Sequence, residues 1–240
     1  MSTSDVRSTA PDEKLTGDVS VISVLEGRAS SYRMFSRMFL KPLSETDIDE
    51  IIESDYAAAA ETLAGTGALA DGFNDMGRYL RKRNTGTRQL LATDFTMCFD
   101  GVEAVGGEVA VPYASIFIGK EALLNQEPRH RAYRIYQTES VKLKAGINLP
   151  EDHLSFELEF LSILSDRAAA AYKLGNREET VRNLEVSREF INEHILSWYD
   201  LFMERAGKVL KTRFYRGVMK ATKGYLELDL STIADLMDVA

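Results

Sequence analysis

The sequence predicts an all-α protein, and three observations carry that expectation. Apolar residues recur at helical spacing through most of the chain, the pattern that lines one face of a helix. No segment keeps the sustained alternation of a half-buried strand. The prolines fall at segment boundaries, Pro42 closing the first periodic stretch and Pro128 and Pro150 opening later ones, where a residue without an N–H costs a helix least.

Residues 1–18 are rich in Ser, Thr, Asp and Pro and lack an apolar stretch; they read as a disordered N-terminal tail, neither signal peptide nor membrane anchor. From Val19 to Leu40, Val21, Leu25, Tyr32, Phe35, Met38 and Phe39 form an apolar stripe opposite Arg28, Arg33 and Arg37, which predicts a first helix. Ser44 followed by Asp47 is a capping-box variant opening a short helix through Ile51 and Ile52. A third is expected from Asp55 through Ala57 to Ala60, interrupted near Gly65 and Gly67, with another from Phe73 to Lys82 and one from Thr87 to Phe99. Between Asp100 and Pro112, Gly101, Gly106 and Gly107 break the pattern, so this is the clearest internal loop. Pro128 opens a helix expected to reach Gly146, and Pro150 opens the most regular one, with Leu154, Leu158, Leu161, Leu164, Ala168 and Tyr172 on one stripe ending at Gly175 and Asn176. A helix over Glu178 to Glu193 follows, then two or three more to Val239, punctuated near Gly207 and Gly224.

The composition limits function. Apolar residues at 45% and charged residues at 28% suffice for a buried core. A net charge of −8 repels nucleic acid and anionic membrane at long range, so neither is an expected partner. The single Cys98 cannot build a disulfide framework or a thiolate zinc site, which suits a reducing cytoplasm. With three histidines and no phosphate-binding loop, nucleophile elbow or HExxH, enzyme signatures are missing.

Three stretches need explaining. Pro150-Glu151-Asp152-His153 is followed by Glu157 and Glu159. Asp152 near a helix N-terminus is favoured by the dipole, and beside His153 it could form a titratable pair at the mouth of a groove. The plain alternative is a first-turn charge and a surface histidine; the metal alternative uses His153 and Glu157, four apart on one face. Phe95 and Phe99 end one helix, and Pro112-Tyr113-Ala114-Ser115-Ile116-Phe117 follows the loop. Aromatics so spaced are core more often than binding platform, with Tyr113 the expected exception. Lys208, Lys211, Arg213, Arg216, Lys220 and Lys223 form a basic run without an acid, read as a solvated face or a docking patch for an acidic surface.

In this order the motifs resemble the TorD/DmsD/NarJ family of redox-enzyme maturation chaperones. Asp94-Phe95 through Phe99-Asp100-Gly101 is similar to the family's aromatic-xx-Leu-Phe-x-Gly element, Pro112 to Phe117 to its Pro-x-x-Ser-aliphatic-Tyr element, and Pro150 to Phe160 to its Pro-Asp-His-(x)n-Glu-(x)n-Phe element. Met97-Cys98 stands where the family usually has a basic residue and Leu, and Phe117 where it has Tyr. The resemblance implies one helical domain over residues 19–240, with Asp100 to Pro112 as a hinge-like loop, either monomeric or a domain-swapped dimer. It implies a cytoplasmic chaperone, not an enzyme and with no cofactor of its own, that binds the twin-arginine signal peptide or apo form of a molybdenum-containing oxidoreductase. Cofactor insertion is thereby assisted and export through the Tat pathway delayed until maturation. On this reading Asp152 pairs with the arginines, His153 orients the peptide, Phe95, Phe99 and Tyr113 line the apolar part, and Pro112, Ser115 and Phe117 complete the site. The competing reading is a small helical metal protein or enzyme centred on His153 and Glu157.

Overall fold

The computed structural model describes residues 12–55, 58, 62, 67–121, 123–143 and 149–239. The first helix, α1, spans Asp12–Leu40, so it begins inside the stretch read as a tail; residues 1–11 lie outside the described residues. The apolar stripe marks where α1 is buried, and its backbone helix runs on past that stripe. Leu25, Tyr32, Phe35 and Phe39 are fully buried.

The capping box is present at α2, Glu45–Glu53. Ser44 Oγ accepts from the Asp47 N–H at 3.1 Å, and the Asp47 carboxylate accepts from the Ser44 N–H at 2.7 Å, satisfying two end donors at once. The helix expected over Ala57 to Ala60 and its break at Gly65 fall almost wholly outside the described residues.

Helix α3, Ala68–Leu80, lies along the last helix, α10, Arg213–Val239. Their backbones approach so closely that a Cβ on Gly224 would sit 2.3 Å from the Leu69 nitrogen, and one on Gly72 2.4 Å from the Ala221 nitrogen. Gly224, read as punctuation, is therefore a mid-helix contact that only glycine allows.

Helix α4 covers Thr87–Cys98. The loop after it holds a small antiparallel hairpin, β1 Ala104–Val105 and β2 Glu108–Val109, with Ala104 facing Val109 and Val105 facing Glu108. Gly106 and Gly107 turn it with φ of 64° and 86°, the paired positive angles of a tight hairpin turn. Two-residue strands are too short to show alternation, so the sequence marks the turn and not the strands.

A short α5, Ala114–Ile118, precedes α6, Glu127–Thr138. The latter stops well before Gly146 because Ser140 turns left-handed, φ 54°. Val141 N–H then bonds the Tyr136 carbonyl at 2.7 Å and Ser140 N–H that of Gln137 at 3.0 Å, the paired bonds of a Schellman end. Helix α7, Leu154–Lys173, buries Leu154, Leu158, Leu161, Leu164 and Ala168 against α1 as the stripe predicts. It starts four residues after Pro150, which with Glu151 and Asp152 belongs to the preceding turn. Helix α8, Arg177–Phe190, runs through one π-turn, Ile191–Ile195, into α9, Leu196–Val209.

Apart from the hairpin the described fold is all-α. Arg28 of α1 and Asp229 of α10 join two of its layers through a buried double hydrogen bond at 2.6 and 2.9 Å, with the Tyr32 hydroxyl also donating to Asp229 at 2.5 Å. Among the described residues no helix is long and apolar enough to cross a membrane.

Candidate functional site

Two of the three motifs meet edge to edge. The residues before α5 run antiparallel to those before α7, bridged at Tyr113 and His153. Ala114 N–H donates to the Asp152 carbonyl at 3.2 Å and Leu154 N–H to that of Pro112 at 2.9 Å. Pro112 has no N–H to offer, and only its carbonyl is needed here. The Asp152 side chain completes the clasp, accepting from the Ser115 N–H at 2.8 Å and so capping α5 from a distant part of the chain. His153 caps α7: its Nδ1 accepts from the Ser155 N–H at 3.1 Å. The Tyr113 ring stands edge-on to the imidazole, centroids 4.8 Å apart.

This clasp is interior, not the open mouth expected. Asp152 is 0% exposed, His153 4% and Tyr113 9%, because both flanking segments are paired to each other through the backbone. Burial pushes the Asp152 carboxyl up, a shift the hydrogen bonds from Ser115 partly oppose. Glu157, one turn into α7 and also buried, is pushed well up by burial and by the Asp152 charge. Burial lowers His153 to about 4, so it is neutral near pH 7. Asp152 Oδ1 and Glu157 Oε2 are buried without a hydrogen-bond partner among the described residues. Each carboxyl group thus keeps one buried oxygen uncommitted, and among the described residues no cation is bonded to either.

A largely apolar groove of about 310 Å³ opens between α1, the end of α6 and α7, with Leu40, Tyr136, Leu143, Phe156, Phe160 and Ile163 on its walls together with Lys142 and Glu159; Asp152 and Glu157 do not line it. Ser36 and Ser155 hydroxyls meet in its wall at 2.9 Å, and the Tyr136 hydroxyl donates to the Glu151 carbonyl at 3.2 Å. The sequence reading assigns none of these residues to a site, although Phe160 closes its third motif. Their helical stripe says only that they face inward, and their proximity to Asp152 depends on how α6 meets α7.

The remaining motif residues lie elsewhere. Phe95 and Phe99 pack edge-on at 5.3 Å and continue into Phe202 and Tyr215, 5.8 and 5.5 Å from Phe99. They are core and line no part of the groove. Their neighbour Asp94 works instead, accepting from the Lys211 and Thr212 N–H groups at 2.8 and 2.9 Å where α10 begins. Phe117 stacks on Trp198 at 5.4 Å, with the Arg205 guanidinium 4.7 Å from its ring centre, and Arg205 holds the hairpin through the Val109 carbonyl at 3.1 Å. Of the pair named for the metal alternative, His153 Nδ1 accepts from Ser155, and among the described residues no group of three or more metal-binding side chains gathers.

Residues 64–204 match the family model described as nitrate reductase delta subunit. The chain is similar to the chaperone protein TorD of Vibrio cholerae, 29% identical over 213 residues that span 88% of this chain and 94% of that one. It is likewise similar to the TorD of Vibrio vulnificus, 31% identical over 211 residues, 85% and 93% of the two chains. Among solved structures, a redox enzyme maturation protein from Archaeoglobus fulgidus aligns with a TM-score of 0.38 and 20% identity, over 68% of this chain and 90% of that one.

Proposed function

Since the chain belongs to the family of the nitrate reductase delta subunit and the TorD chaperones, we propose that it is a cytoplasmic, non-enzymatic maturation chaperone for a molybdenum-containing oxidoreductase. It binds the twin-arginine signal peptide of its client, assists cofactor insertion and delays export until the client is mature. One observation supports the peptide site most directly: Asp152 Oδ1 and Glu157 Oε2 are buried and unpartnered, and both carboxyl groups act on Tyr136, whose ring lines an apolar groove. A twin-arginine peptide carries an arginine pair followed by an apolar run. Guanidinium groups suit carboxylates because their fork of N–H donors engages both oxygens. The apolar run would lie along Phe156, Phe160 and Tyr136.

The clasp must open for this to happen. Freeing Tyr113 from His153 exposes both carboxyl groups, and a guanidinium arriving there brings back their ionised forms. Asp152 pairs with the arginine end, His153 and Ser115 hold the clasp edge, and Tyr113 covers the peptide. Phe95, Phe99 and Phe117 act through the core that supports this edge.

Calorimetric titration with a synthetic twin-arginine signal peptide, and with the same peptide carrying Lys-Lys, tests the reading. Micromolar binding that weakens with Lys-Lys and in Asp152→Asn is expected. Failure of twin-arginine peptides from several molybdenum-enzyme clients to bind would overturn it.

A further inference from the structure

The basic run between Lys208 and Lys223 plays no part in the peptide site, yet the fold gathers it. Lys211, Arg213, Arg216 and Lys220 rim a cleft of about 680 Å³ floored by Met203, Leu210 and Met219. A second cleft of about 570 Å³ is lined by Arg78, Arg81 and Lys82 at the end of α3, with Tyr79 and Leu90 between them. Arg213 lines both, so they adjoin as one cationic channel.

Its charges are only partly neutralised. Asp75 is the acid in the first cleft, and it is already held by Arg213 and Lys220 at 2.7 and 2.8 Å. Lys211 reaches Glu103 at 3.3 Å. Among the described residues no acid pairs with Arg78, Arg81, Lys82 or Arg216. Arg216 gives its Nε–H to the Leu210 carbonyl at 2.8 Å, which aims the guanidinium and leaves its terminal nitrogens for a ligand. In a chain of net charge −8, such a concentration faces the opposite way from the rest of the surface.

We propose that this channel docks an acidic, amphipathic segment of a partner polypeptide. Its carboxylates meet the arginines, and its apolar side chains lie on Met203, Tyr79 and Leu90. Exposed Leu90 and half-buried Tyr79 and Met203 favour a polypeptide over a phosphate backbone, which would leave them uncovered, whereas Leu210 and Met219 are buried beneath. The overall negative charge repels an extended polyanion or an anionic membrane, while a short segment feels chiefly the local cations. Methionines adapt to side chains of varied shape. No residue of the channel belongs to the Asp152 site, so the proposal stands independently of the signal-peptide reading.

The test uses the full chain and a set of short labelled helical peptides with Glu or Asp alternating with Leu or Phe turns, followed by fluorescence anisotropy. Binding that weakens with salt, and falls about tenfold or more in the triple variant Arg81→Glu, Lys82→Glu, Arg216→Glu, is the expected result. Arg81 and Lys82 pair with no described acid and Arg216 gives up its bond to the Leu210 carbonyl, so a melting curve taken beside the binding curve separates a folded variant from an unfolded one; Lys120→Glu, outside the channel, leaves binding unchanged. Equal binding of peptides with Gln and Asn in place of the acids would overturn the proposal. So would binding insensitive to the triple variant, or no peptide binding beside tight binding of an oligonucleotide or tripolyphosphate.

Discussion

The Asp152 carboxylate accepts a hydrogen bond from the backbone N–H of Ser115 at 2.8 Å across 37 positions of sequence. It thereby ties the start of α5 to the start of α7, and its second oxygen remains buried and unpartnered. One side chain thus has two separable roles, holding the clasp and offering a charge.

Asp152→Ala leaves the Ser115 N–H buried without an acceptor, and the loss of stability is expected to be about 1–3 kcal/mol. Asp152→Asn keeps an acceptor and removes the buried carboxyl, so it should unfold in urea close to wild type while losing twin-arginine peptide binding. A parallel loss of both properties in the Asn variant would mean that the residue is structural alone.

Arg28 and Asp229 are 3% and 1% exposed, so neither charge can fall back on water. Asp229→Ala strands the guanidinium and should cost about 3–5 kcal/mol, whereas replacing both by Met and Leu should cost far less. Chemical denaturation of the two variants side by side decides between a pair that stabilises and one that merely must not be broken.

Gly224→Ala places a methyl group 2.3 Å from the Leu69 nitrogen. The two helices must separate, at an expected cost of about 1–3 kcal/mol. Gly207→Ala, with open space around its Cβ, should leave the melting temperature unchanged or raised.

The pH dependence follows from the buried histidine. His153 titrates near 4 when folded against an ordinary value of 6.5, so between those values the unfolded chain binds the extra proton. Stability from this group is complete above about 6.5 and is lost as pH falls towards 4. Glu157, held protonated by burial, acts in the opposite sense, its contribution fading as pH rises above its ordinary range. His153→Asn keeps a capping oxygen at the head of α7. Relative to wild type it should lose less stability between pH 6.5 and 4, read from urea midpoints across that range.

The helices were legible because their cause is local. The stripe from Leu154 to Ala168, the Ser44–Asp47 box and the Pro128 start are each written within a few residues and needed no partner to be read. The resemblance carried by Pro112 to Phe117 and Pro150 to Phe160 pointed to the family, and the comparisons bear it out. Where a feature depends on what lies across an interface, the sequence is silent. Gly224 looks like a break until α3 is laid against it. The spacing of Phe95 and Phe99 reads as core and only the resemblance made them groove lining, and Phe202 and Tyr215 enclose them. The burial of Asp152 and His153, the groove with Tyr136 and Phe156, and the channel that joins Arg81 to Arg216 arise from segments far apart in the chain. Periodicity tells which face of a helix turns inward, and only the packed structure tells what it meets there.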